Sequence, residues 1–165
     1  MDKVPKEIFP GMIAADFLWS TKRVVQAVML WSECLILVNN KALEKENDLV
    51  REGSMLLYEC LCGGYAAIYK LSPAIESGKK LLVLLRKCKR KKKESDTAFL
   101  LARLYYQKGE YKEGQEHLQK ALTIKTEIGD RNGEAACYGN LGAVFESVGE
   151  SVSYTHLTLP TKRIV

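Results

Sequence analysis

The stretch DTAFLLARLYYQKGEYKEGQEHLQKAL, from Asp96 to Leu122, decides the fold. Its first half sets Ala98, Leu101, Ala102 and Tyr105 three and four residues apart, the spacing of one helical face. Gly109-Glu110 then breaks the pattern, and Gly114, Ala121 and Leu122 resume it in a second run. A helix, a tight turn and a second helix are the simplest structure with that pattern.

The same pattern recurs when the chain is shifted against itself by 40 residues. Tyr58, Ala98 and Tyr138 share one column, and Leu61, Leu101 and Leu141 the next apolar one. Small residues follow at Cys62, Ala102 and Gly142, and aromatic ones at Tyr65, Tyr105 and Phe145. In the second run Ala74 answers Gly114, and Leu81-Leu82 answers Ala121-Leu122. A helix pair of this kind buries its apolar face only against the next pair, so repeats of it stack into a solenoid stabilised by neighbours.

Tyr138-x-x-Leu141-Gly142-x-x-Phe145 and the run from Gly109-Glu110-Tyr111 to Ala121-Leu122 resemble the tetratricopeptide repeat. The resemblance is specific over Asp96 to Glu150. It implies an all-α, right-handed solenoid of helical hairpins, truncated here. The usual repeat is about 34 residues; the longer one here, extended through Ile128 to Glu134, is similar to the Pins/LGN-like adaptor group and to long metazoan arrays.

On this basis residues 1–50 form a divergent helical repeat or cap, 51–94 a degenerate repeat, 95–131 a full repeat and 132–150 the first helix of another. The repeat at 51–94 keeps the register but has Tyr69 where a turn glycine is due. In the cap, Ala14, Ala15 and Leu18 mark a first helix, and Ala27, Trp31, Cys34 and Leu35 a second. The register stops after Glu150. The tail at 151–165 contains Val152 to Thr161, which resembles a translated sequencing-library adaptor, and is read as non-native.

Catalytic chemistry has little to draw on. Outside the tail His117 is the single histidine, expected as a solvated helix residue, so catalytic triads and histidine metal clusters lack components. Cys60 and Cys62 would point about 200° apart on a helix, and the odd count of five cysteines fits reduced packing residues. Cys62-Gly63-Gly64-Tyr65 lacks the spacing and lysine of a phosphate loop, and its glycines suit close helix packing instead. Glu110, Glu113 and Glu116 alternate with Lys112 and Lys120 as a solvated face. The expectation is a non-enzyme with no cofactor, no metal and no small-molecule substrate.

Charge is concentrated. The net charge is +5, yet nine of the 25 Lys and Arg lie between Lys79 and Lys93 with no acid among them. Arg86 to Lys93 could serve as a nuclear-localisation signal or nucleic-acid patch. The preferred reading is a helix end running into an exposed inter-repeat loop, because no aromatic residues interleave to stack bases. No apolar run is long enough to cross a bilayer, and Met1 to Glu7 shows no secretory signal, which favours a cytoplasmic protein.

The family resemblance also implies a function: a scaffold whose first helices line a concave groove that holds peptide segments of protein partners. The positions left for recognition are Glu59, Phe99, Arg103, Tyr106, Gln107, Asn140 and Glu146. Asn140 lies in a Tyr-Gly-Asn-Leu-Gly string resembling adaptor-type repeats, where asparagine binds peptide backbone. The paired lysines and asparagines of the carboxylate-clamp type are missing. An intracellular signalling adaptor is the leading expectation; the alternative is the regulatory repeat arm of a larger signalling enzyme.

Overall fold

Five joins between consecutive helices are built in one way. At each, a residue with left-handed φ ends a helix: Lys22 at 63°, Tyr69 at 58°, Lys89 at 53°, Gly109 at 84° and Gly129 at 71°. Its N–H donates three residues back, and the following N–H donates five back. Tyr69 reaches Ala66 O at 3.1 Å and Lys70 reaches Tyr65 O at 2.9 Å, while Gly109 reaches Tyr106 O at 3.0 Å and Glu110 reaches Tyr105 O at 2.9 Å. This pair of bonds satisfies carbonyls that a helix end leaves open. The next residue's carbonyl already receives the first bond of the following helix, as Lys70 O does from Ala74 N at 3.2 Å.

The computed structural model describes residues 9–44 and 48–142. Helix α1 spans Phe9–Ser20, α2 Val24–Glu44, α3 Asp48–Ala67, α4 Leu71–Lys87, α5 Lys91–Lys108 and α6 Tyr111–Glu127. Residues 131–142 are helical as well, and no strand occurs among the described residues. Such short joins force each helix antiparallel to the one before, and each packs on its neighbours in chain order. The result is the all-α solenoid of helical hairpins. Glu146 and the tail from Ser151 lie outside the described residues.

Two main clusters form the core. The first joins Ala15, Ala27, Val28, Trp31, Cys34 and Val38 of α1 and α2 to Leu57 and Leu61 of α3. The second joins Cys62, Ala74 and Leu82 to Leu101, Ala102, Tyr105, Leu118 and Ala121, and reaches Cys137. Tyr65 packs against both. The columns of Leu61 and Leu101, of Cys62 and Ala102, and of Ala74 and Gly114 are therefore buried, whereas Tyr138 in the last copy is 61% exposed and Phe145 lies outside the described residues.

Particular expectations need correction. Tyr69 replaces a turn glycine without changing the turn, since its φ of 58° matches the glycine joins. A side chain there costs about 1–2 kcal/mol in backbone strain. Of the adjacent glycines only Gly64 serves close packing: a Cβ there would stand 2.5 Å from Val28 Cγ2. A Cβ at Gly63 would meet nothing within 4 Å.

His117 is not a solvated residue. It is half-buried, stacked on Tyr105 with centroids 5.3 Å apart, and its Nδ1 has no hydrogen-bond partner. Burial, helped by Lys120, Lys79 and Arg86, lowers its pKa and keeps the ring neutral. The inter-repeat loop expected in the basic run is likewise absent: only Cys88, Lys89 and Arg90 separate α4 from α5.

Candidate functional site

The first helices of the pairs, α1, α3 and α5, share one face. Trp19 from the end of α1, Gly63, Ala66 and Ala67 of α3, and Leu100, Arg103, Leu104 and Gln107 of α5 line a hollow of about 410 Å³, with Tyr69 at its edge. The small α3 residues make the floor, because nothing larger than a methyl group projects there. A second hollow of about 230 Å³ continues past Leu100, Asp96, Lys93 and Glu59 of α3 and α5, with Leu81 and Leu85 of α4 also lining it. Together they form a groove along the α3–α5 seam.

Three of the seven recognition positions read from the sequence stand on this groove: Glu59, Arg103 and Gln107. Phe99 and Tyr106 do not. Both are half-buried against the core, and the Tyr106 ring lies over Gly114, stacked on Tyr111 at 6.4 Å. They are seven residues apart, almost two full turns at 3.6 residues each, so they share a strip of α5, and at Tyr106 that strip meets α6. Asn140 is half-buried and donates Nδ2–H to Ala136 O of its own helix at 2.8 Å. Glu146 is beyond the described residues.

Charges around the groove are mostly paired. Lys93 Nζ meets Glu59 Oε2 at 2.8 Å, and Arg90 donates to Glu52, so both cations bridge α5 and its join to α3. Lys91 pairs with Glu127 of α6 at 2.7 Å, and Arg86 with Glu94 at 2.7 Å. Four cations of the basic run thus cross between helices. Lys91, Lys92 and Lys93 occupy the first turn of α5, where the helix dipole disfavours cations. These partners, with Glu94 in the same turn, offset that cost.

The sequence reading did not find the buried lysine. Lys125 is 5% exposed and donates to Asp96 Oδ1 of α5 at 2.7 Å and to Asp130 Oδ2 at 3.2 Å. Burial alone would lower its pKa, but the two carboxylates outweigh that and leave it raised. Asp130 Oδ1 also accepts the Gly133 N–H at 3.0 Å, capping the helical stretch that follows. A detectable signal existed, because the shift of 40 residues puts Lys125 in the column of fully buried Leu85. A charge in an apolar column needs a partner of opposite charge.

The cysteines show no activation. Burial, with the neighbouring acids adding to it, pushes Cys60 up to about 12 and Cys62 up to about 11, so both stay thiols at neutral pH. Among the described residues no group of three His, Cys, Asp or Glu is placed to hold a metal, and no helix is long and apolar enough to cross a membrane.

Residues 94–151 match the model of the tetratricopeptide repeat family. No curated protein matches the chain by sequence. Several solved structures share its fold. BtubC (BKLC) from P. vanneervenii is 20% identical with a TM-score of 0.64 over 81% of this chain; the chain spans 52% of that protein's length. The C-terminal TPR-containing domain of a Plasmodium falciparum protein, described as FK506-binding, is 16% identical with a TM-score of 0.62, covering 84% of this chain and 91% of its own. The TPR-like repeats of a kinesin light chain from Podosopora anserina are 18% identical with a TM-score of 0.63, covering 94% of this chain and 78% of theirs.

Proposed function

We propose that this chain, which carries tetratricopeptide repeats, is a non-catalytic scaffold that binds peptide segments of other proteins in the α1–α3–α5 groove. Tetratricopeptide repeats are in general protein-interaction scaffolds, and an adaptor role is the form of that function proposed for this chain. One observation carries it. Gly63 faces open space on a helix whose adjacent glycine is filled by Val28 and Trp31, so the chain keeps a trough where a side chain would fit. Peptide recognition in grooves uses such a preformed concave surface with a few polar groups around it.

Nucleic acid fits less well. Four cations of the basic run are paired with carboxylates of the same chain, which leaves fewer to neutralise phosphates.

The test fills the trough. Gly63→Leu meets nothing within 4 Å at its Cβ, and replacing a mid-helix glycine should raise stability by about 0.5–1 kcal/mol. Twelve-residue peptides selected from a displayed random library on the wild-type chain should lose at least tenfold in affinity for Gly63→Leu, with unchanged helicity. Equal affinity for both proteins would place recognition on another face.

A further inference from the structure

One cation in the groove lacks a counter-charge. Glu59 holds Lys93, Glu52 holds Arg90 and Asp96 holds Lys125. Arg103 is exposed and has no ion pair or hydrogen bond among the described residues. It stands at the same hollow as Gly63, Ala66 and Ala67, with apolar area from Trp19, 40% exposed, and Tyr69, 84% exposed. The helices α1, α3 and α5 run parallel and end on this side. Their closing turns add Lys22, Arg23 and Lys70, while Lys108 is already held by Glu110 at 2.8 Å. This end of the groove therefore combines a bare small-residue floor, two aromatic rims and, on Arg103, a cation without an ion pair among the described residues, while the cations of the closing turns offset the partial negative charge of the helix C-termini beside them.

We propose that this end takes an extended acidic peptide, with one carboxylate on Arg103 and a neighbouring large apolar side chain on the Gly63–Ala67 floor against Trp19 and Tyr69. The inference rests on the groove being the binding surface and adds the chemistry of its ligand. A guanidinium fork donates two parallel N–H···O bonds to a carboxylate, and a freely solvated arginine gives up no internal partner to do so. The apolar neighbour supplies the contact area that a single exposed ion pair lacks. At the other end of the groove the acids and bases neutralise one another, so charge selectivity is confined to the Arg103 end.

The experiment uses the full chain and two fluorescent pools of ten-residue peptides that share Leu, Ile and Phe at their central positions. One pool carries Asp and Glu at the flanking positions, and the other Lys and Arg. Fluorescence polarisation should show the acidic pool binding at least about tenfold tighter at low salt, with the difference shrinking as salt rises. Arg103→Glu, a change at an exposed position, should reverse the order of the pools, and Gly63→Leu should abolish binding of the acidic one. If Gly63→Leu blocks binding while both pools bind wild type equally and Arg103→Glu changes nothing, the ligand chemistry is wrong and the groove reading stands. If Gly63→Leu binds the acidic pool like wild type, the groove reading itself fails and this proposal with it. Binding of neither pool, or tighter binding of a twelve-nucleotide oligo-dT than of the acidic pool, also overturns the proposal.

Discussion

At the scale of single residues, the backbone does not read the difference between Gly109 and its counterparts Tyr69 and Lys89. All three close their helices with positive φ and the same pair of hydrogen bonds. An L side chain pays for that conformation with about 1–2 kcal/mol, partly recovered by a less flexible unfolded chain. Lys89→Gly should therefore raise stability by about 0.5–1 kcal/mol, measured as a higher urea midpoint with unchanged slope. A lower midpoint would mean that the exposed Lys89 side chain makes a contact worth more than the strain. This is also where sequence reading reached its limit. Leu61, Leu101 and Ala102 are legible because burial follows a 3.6-residue period, whereas Lys125 meets Asp96 across 29 residues and no local period encodes that meeting. Tyr106 shows a related limit: the period fixes a face only to within a strip, and its ring lies over Gly114 of α6.

At the scale of elements, α4, α5 and α6 start without help from a capping side chain. Lys70, Arg90 and Glu110 sit at the N-caps of α4, α5 and α6 with no side-chain bond to the first turn. The stretch after α6 is different, because Asp130 caps it and also binds Lys125. The Gly133 N–H, followed by Lys125, holds the Asp130 carboxyl below its ordinary value of 3.8. A depressed carboxyl stabilises the fold above its unfolded pKa, and that contribution is lost as pH falls through the folded value. The melting temperature of wild type should thus exceed that of Asp130→Ala by a margin that is constant from pH 7 to 5 and shrinks below about pH 3.8. A margin independent of pH down to 2.5 would show that the charge of Asp130 contributes nothing. The helices themselves were largely legible, including α1 and α2 from Ala15, Ala27, Trp31 and Cys34. The basic run was not, since composition cannot tell a loop from a three-residue join whose cations reach Glu52, Glu59 and Glu127.

For the whole molecule, contacts run between neighbours and the core divides into two main clusters that meet at Tyr65. Stability in such a stack is close to a sum of local terms. Leu57→Ala, at a fully buried position in the first cluster, should cost about 2–5 kcal/mol and should speed amide hydrogen exchange more in α1–α3 than in α5–α6. Leu118→Ala should do the reverse. Uniform acceleration by either substitution would mean that the clusters unfold as one unit.

The uniform joins carry one more consequence, for proteolysis. Lys22, Arg23, Lys70, Lys89 and Arg90 are the residues after which trypsin cuts, and all of them sit in the two- or three-residue connections, where nicking would ordinarily begin. Here the left-handed residue and the one after it have their N–H groups tied back into the preceding helix, and no slack remains to be drawn into a protease cleft. Susceptible sequence is thus present at three of the five turns but locked in shape. Digestion should wait for an entire hairpin to open, and the order in which fragments appear would record which hairpin lets go first.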